Sequence, residues 1–257
     1  MDQAARLVGR LRELAQAPCL LVASDFDGVL APLVLDPAAS RPVDGSVDSL
    51  RGLASAPGTH AAVVSGRDLE TLTALTGLED SPVIRIGSHG AESSADSAPP
   101  TLTQAQRTSL ADLTADLDEV ARAHPGARLE HKPAAVVLHT RGMAAEAARA
   151  AEAEALEATT RHTESHVLHG KHVVEVSVVR ADKGTALLAL RDVVGADALA
   201  YFGDDVTDEH VFTLLGPGDV GVKVGPGDTA ATWRVDGPPE VAEALALLAR
   251  LRTAAAH

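Results

Sequence analysis

Two carboxylates two residues apart, Asp25 and Asp27, follow the uncharged run Leu20-Leu21-Val22-Ala23 and precede Gly28. An apolar run that ends in a turn signal predicts a strand buried on both faces, the usual state of a central parallel strand. Side chains two apart on a strand point the same way, so Asp25 and Asp27 are expected to converge where the strand ends. Carboxylates that close repel each other and resist joint ionisation. A hard, oxygen-seeking cation such as Mg2+ would offset the repulsion, and Mg2+ is the expected cofactor. The plainer alternative is a strand-to-loop turn whose Asp residues cap a following helix.

Three further clusters carry chemistry. Ser65-Gly66-Arg67-Asp68 offers a hydroxyl, Asp182-Lys183-Gly184 an ammonium, and Gly203-Asp204-Asp205-Val206-Thr207-Asp208-Glu209 more carboxylates. The elements around them alternate. A strand over His60–Val64 runs into the Ser65 cluster, and LETLTALT is helical, with Gly77 as its C-cap. Pro82–Ile86 predicts a third strand, ending in Gly87-Ser88-His89-Gly90. After Lys183 come a helix, a strand over Leu199–Phe202 ending at Gly203, a helix through Glu209–Leu214, the strand GVKVG and a helix from Pro239. Strands alternating with helices imply an α/β, Rossmann-like parallel sheet, whose ligands bind beyond the carboxyl ends of the strands.

The rhythm changes at the small, Pro-rich stretch Ser93–Pro100, which reads as a boundary. A helix over Thr103–Ala123 precedes two strand-like runs, RLEHK and AAVVLHT, separated by Pro133. A second helix, Ala144–Arg161, is followed by HVLHG and HVVEVSVV. This repeated helix-strand-strand layout predicts an α+β unit at residues 101–179 inserted into a core made of 1–100 and 180–257. The active site is expected where the two meet.

Composition narrows the partners. The 257 residues are 46% hydrophobic and 23% charged, enough for a substantial core. Aromatics make up 2%, which removes the stacking platforms used on single-stranded nucleic acid, and the net charge of −14 argues against duplex DNA or RNA. No apolar run approaches the length of a membrane span. Cys19 is the single cysteine, so an intrachain disulfide and a cysteine-rich zinc site are both excluded. The amphipathic start, MDQAARLVGRLRELAQ, reads as a helix packed on a sheet edge and not as a signal peptide. A cytoplasmic monomer is the expected state, and Trp233 the expected core or interface residue.

The order Asp25-x-Asp27-Gly28-Val29, Ser65, Lys183, Gly203-Asp204-Asp205 resembles the motif series of the haloacid-dehalogenase superfamily of aspartate-dependent phosphotransferases. That resemblance implies that Asp25 attacks phosphorus, that Asp27 serves as general acid and base, and that Ser65 and Lys183 hold and neutralise the phosphate. It further implies Mg2+ held by Asp25, the backbone carbonyl of Asp27 and Asp204, with Asp205 and Asp208 behind them. For Asp208, an N-terminal helix charge is an equal alternative.

A closer resemblance, over nearly the whole chain, is to the trehalose-6-phosphate phosphatase family. Gly87-Ser88-His89-Gly90-Ala91-Glu92 is similar to its G-x-H-G-x-E, Glu130-x-Lys132 with His139-x-Arg141 to its E-x-K…H-x-R, and Gly170-Lys171 with Glu175 to its G-K-x-x-x-E. Val29 and Ser88 stand where that family often has Thr and Asn. The resemblance implies Mg2+-dependent hydrolysis of trehalose 6-phosphate by a dehalogenase-type core, with residues 101–179 as cap domain. Arg67, His89, Gly90, Glu130, Lys132, Arg141, Lys171 and Glu175 are then the substrate-binding residues. A disaccharide offers many hydroxyls, and carboxylates that accept two hydrogen bonds suit it. The competing view of Glu130 and Glu175 is that they only pair with Lys132 and Lys171 on a solvated sheet face. Other capped phosphatases (for sucrose phosphate or mannosyl-phosphoglycerate), a phosphomutase and a non-catalytic phosphosugar-binding regulator are the alternatives.

Overall fold

Apolar spacing builds each element of the computed structural model, which describes residues 3–95, 102–132, 134–170, 172–179 and 182–254. α1 (Gln3–Leu14) turns Leu7, Leu11 and Leu14 inward, the three- and four-residue spacing of one helix face. β1 (Leu20–Ser24) is buried throughout. α2 (Ser46–Ser55), β2 (Thr59–Val64), α3 (Leu69–Thr76), β3 (Ile84–Gly87) and the two-residue β4 (Glu92–Ser93) follow. α3 ends where expected, at Gly77, whose φ of 62° is left-handed. β3 starts at Ile84, two residues after the expected Pro82. Proline lacks an N–H for the ladder, and the Val83 N–H donates to Ser81 Oγ instead.

The second stretch contributes α4 (Gln104–Ala123), β5 (Arg128–Lys132), β6 (Ala135–His139), α5 (Ala145–Thr159), β7 (His166–Gly170) and β8 (Val173–Ser177). The third contributes α6 (Lys183–Val194), β9 (Ala198–Gly203), α7 (Val206–Leu214), β10 (Val220–Val224), β11 (Trp233–Val235) and α8 (Pro238–Ala254). The chain divides into two compact units, Met1–Ser97 with Ala181–His257, and Ala98–Arg180.

Among the described residues the first unit has a seven-stranded sheet in the order β11-β10-β9-β1-β2-β3-β4, parallel except where β4 pairs with β3. Leu20, Val22, Val63, Phe202 and Val222 face α1, α2 and α8 through Leu11, Leu50, Leu53, Leu245 and Leu248. Leu21, Ala23, Val64, Leu199 and Tyr201 face α6 and α7 through Leu187, Leu190, Val211 and Phe212. With both faces covered, strands read as unbroken apolar runs. β11, not expected from sequence, is a three-residue edge strand whose Trp233 packs against the first of these layers. Parallel pairing places Ser24 beside Val63 and Phe202, so β1, β2 and β9 end along one edge. At the other end, the buried Arg252 of α8 donates to the carbonyls of Ala15, Ala17, Pro18, Pro57 and Gly58 and to Thr59 Oγ1.

The second unit is a four-stranded antiparallel sheet, β5-β6-β8-β7, with α4 and α5 on one face. Leu113, Leu117 and Val120 of α4 and Ala151 and Ala155 of α5 meet Val136, Leu138, Val174 and Val176. No helix of the described residues is long and apolar enough to cross a membrane.

Candidate active site

Where β1 ends, the Asp25 N–H donates to Phe202 O at 2.9 Å, so the residue is still held by the neighbouring strand. Its Oδ2 accepts from Lys183 Nζ at 2.8 Å, and the same ammonium donates to Asp208 Oδ1 at 2.9 Å. Lys183 is the first residue of α6, and the Asp182 side chain caps that helix by accepting from Thr185 N–H. Asp208 is fully buried. Tyr201 Oη donates to its Oδ1 at 2.6 Å, and the N–H groups of Asp204 and Asp205 donate to its Oδ2 at 2.8 and 3.1 Å. Asp208 is therefore both the helix N-terminal charge of one sequence reading and a member of the acidic cluster. Asp205 caps α7 by accepting from the Thr207 and Asp208 N–H groups.

Carboxylate oxygens of Asp25, Asp204 and Asp208 all lie within 4.8 Å of one another. Gly28 makes the approach possible: its φ is +77°, and a Cβ there would lie 2.0 Å from Asp204 Oδ2. Burial raises the Asp25 carboxyl well above its usual range, against the opposing pull of Lys183. Asp204 is pushed up to about 6, first by burial and then by Asp208 and Asp205. Burial alone would lower Lys183, but Asp25 and Asp208 outweigh it and hold the ammonium charged. Three crowded carboxylates, of which the Lys183 ammonium bonds only Asp25 and Asp208, concentrate acidic oxygens in a partly dry site. That all-oxygen donor set fits a divalent hard cation.

Asp27 does not share these partners. β1 stops at Ser24 and the chain turns, with the Leu30 and Ala31 N–H groups donating to Phe26 O at 2.9 Å. β1 thus ends before either carboxylate, and Asp27 bonds a different cation from Asp25, although both carboxylates act on the charge of Arg67. Arg67 grips Asp27 with both Nε at 2.6 Å and Nη2 at 2.8 Å, and Ser40 Oγ adds a third bond at 3.1 Å. The Arg67 guanidinium lies 5.5 Å from the Phe26 ring centre. Ser65, buried at the end of β2, accepts from the Arg67 N–H through its Oγ. His89 donates its N–H to Ser65 O, and its ring packs on Gly66 so closely that a Cβ there would lie 2.6 Å from Cε1. Burial, then Lys183, lowers the His89 pKa, and its buried Nδ1 has no hydrogen-bond partner among the described residues. Gly90 (φ +113°) lets this loop approach Asp182 O, and Glu92 accepts from the Leu69 N–H and Ser88 Oγ.

In the second unit, Glu130 pairs in register with Val137 and Val137 with Glu175, so both Glu residues project from one face of the sheet. The helices pack on the other. Lys132 donates to Glu175 at 2.9 Å, and His139 Nε2 lies 2.8 Å from Glu130 Oε2. Arg141 is exposed in the turn after β6. Lys171 lies outside the described residues.

Tyr201 and Ser40 escaped the sequence reading, although Tyr201 is the single tyrosine of the chain and sits two residues before Gly203. That isolation in an apolar strand was the available signal.

The trehalose-phosphatase family profile matches residues 23–239. A trehalose-phosphate phosphatase of Mycobacterium tuberculosis is 34% identical over 240 residues, covering 88% of this chain and 60% of that protein. The chain thus spans about 60% of the length of the curated relatives it matches. Aspergillus fumigatus trehalose-6-phosphate phosphatase shares the fold, with a TM-score of 0.59 at 24% identity over 97% of this chain and 98% of that one. A trehalose-6-phosphate phosphatase related protein gives a TM-score of 0.54 at 26% identity, covering 90% and 97%. With the profile extending from β1 into α8, and so across every cluster described above, the chain belongs to the trehalose-phosphatase family.

Proposed function

We propose that this chain hydrolyses trehalose 6-phosphate to trehalose and phosphate, with the unit of residues 1–100 and 180–257 as catalytic core and residues 101–179 as cap. The observation that carries the reading is the buried Asp25–Lys183–Asp208 cluster with Asp204 beside it. A carboxylate desolvated in that way, held by one ammonium and aimed from a strand end, suits nucleophilic attack better than mere binding. Asp25 would attack phosphorus as the bond to the sugar oxygen breaks, and Asp27 would protonate that oxygen. Asp27 would then take a proton from water as it displaces phosphate and frees Asp25. Lys183 and the Ser65 hydroxyl would bind phosphate oxygens, and Arg67, His89 and Gly90 would line the approach. Asp25, the Asp27 carbonyl and Asp204 would hold Mg2+, with Asp205 and Asp208 in support. When bound, that ion supplies positive charge to the phosphate and the carboxylates.

Glu130, Lys132, Arg141, Lys171 and Glu175 would select the sugar; the placement of Glu130 and Glu175 on one face, away from the helices, supports this. The proposal includes a cytoplasmic monomer. A phosphorylated disaccharide does not cross a bilayer unaided, and one chain supplies every group the chemistry calls on.

Phosphate release from a panel (trehalose 6-phosphate, sucrose phosphate, mannosyl-phosphoglycerate and glucose 6-phosphate), with Mg2+ or with chelator, tests the reading. Trehalose 6-phosphate should be preferred, with activity only in Mg2+. Asp25→Asn should lower turnover on the order of 10⁴-fold or more while the protein stays folded by circular dichroism. Preference for a monosaccharide phosphate, or release by Asp25→Asn near the parent rate, would overturn it.

A further inference from the structure

Two lysines are buried around the acidic cluster, Lys183 and Lys223, and the chemistry above uses only the first. Lys223 lies on β10 in register with Gly203, the residue before Asp204. Its ammonium donates to the backbone carbonyl of Asp204 and sits 3.7 Å from Glu209 Oε1. That Oε1 is buried without a hydrogen bond among the described residues, while Oε2 accepts from the Ala230 N–H at 2.8 Å. In the otherwise apolar β10, valine would fill this position without the cost of desolvating a charge. A buried ammonium there calls for a use.

The backbone shows one. The Asp204 N–H is held by Asp208 and its C=O by Lys223, so the residue is gripped on both sides of Cα. Its carboxylate accepts no hydrogen bond among the described residues. Lys183 neutralises carboxylates by occupying their oxygens; Lys223 offsets the same crowding from the backbone side and leaves the oxygens of Asp204 open. Resting on the reading of Asp204 as a cation ligand, we infer that Lys223, steadied by Glu209, is a positioning residue. It fixes the Gly203–Asp205 turn so that the Asp204 carboxylate is set for a divalent cation.

The test is a Mg2+ titration of the metal-free protein followed by its rise in melting temperature, with steady-state kinetics alongside. Lys223→Met should raise the half-saturating Mg2+ concentration about 10–100-fold, the usual effect of losing a group that orients a metal ligand. At saturating Mg2+ its kcat should fall far less than its apparent Mg2+ affinity. Lys223→Arg, which keeps charge and donor, should recover most of the affinity, and Glu209→Gln should weaken binding several-fold. A merely structural lysine would lower the metal-free melting temperature and leave the half-saturation unchanged, which overturns the inference. If Lys223→Met does not fold, unchanged affinity in Glu209→Gln overturns it equally. Absence of any Mg2+ shift in the parent would overturn both this inference and the cation reading; a parent shift with unaltered variants removes only this inference.

Discussion

Lys183 in the first unit and Lys132 in the second bond carboxylates at nearly the same distance, 2.8 Å to Asp25 and 2.9 Å to Glu175. Their surroundings differ. The Lys183 side chain is 1% exposed and its partners 6% and 0%, whereas Lys132 and Glu175 are 20% and 13% exposed. Asp208 is further fixed by Tyr201 and two backbone N–H groups. Bond length therefore does not rank these pairs; desolvation does. Buried charges that lose a partner stay buried and unpaired, while charges near water exchange one partner for another at little cost. The first arrangement suits a fixed reaction centre, and the second a surface that trades its internal pair for a ligand's hydroxyls.

Removing the two ammonium groups should pull the pairs furthest apart. Lys183→Met should cost about 3–5 kcal/mol in urea unfolding of the metal-free protein, since Asp25 and Asp208 are left facing each other. Lys132→Met should cost about 1 kcal/mol or less. Similar costs would erase the distinction. A smaller effect sharpens the ligand-exchange idea. Glu175→Ala should lower kcat/KM for trehalose 6-phosphate about 10²-fold while hydrolysis of p-nitrophenyl phosphate, too small to need the second unit, changes little. Loss of both activities with a lowered melting temperature would make Glu175 a structural residue.

The smallest effect concerns pH. Asp204 is raised on folding from 3.8 to about 6, so the folded state binds its proton more tightly than the unfolded state. Its contribution to metal-free stability is present below about pH 3.8 and is lost as pH rises through about 6. Asp204→Asn cannot ionise. With chelator it should melt above the parent at pH 7.5 and converge with it towards pH 4. Partial exposure screens the effect, and a difference of about 2–4 °C is expected. With Mg2+ the order should invert, because only the parent gains a ligand-bound state.

The longer elements of both units were legible because each is spelled by local periodicity. α3 with Gly77, the twice-repeated helix-strand-strand and the strands β1, β2, β3, β9 and β10 follow from apolar spacing and turn residues. Residues at strand ends were legible too, since parallel registers align those ends and bring Asp25, Ser65 and Asp204 to one edge. What spacing does not encode is which distant side chains meet. Ser40 on Asp27 and Lys223 on Asp204 O join segments that only the folded sheet brings together. β11 was hidden because three half-buried residues, Trp233-Arg234-Val235, carry too short a pattern to read.

Tyr201 has a consequence for anyone watching this molecule in solution. The chain contains one tyrosine and one tryptophan, and they occupy different strands, β9 and β11. The tyrosine is wholly buried with its hydroxyl on Asp208, and burial, then Asp208, pushes its ionisation well above the ordinary range. A phenol's ultraviolet absorption shifts with the strength of the hydrogen bond it donates. The protein thus carries its own optical reporter at the acidic cluster, with Trp233 as an internal reference, and a difference spectrum can follow events at Asp208 without any attached label.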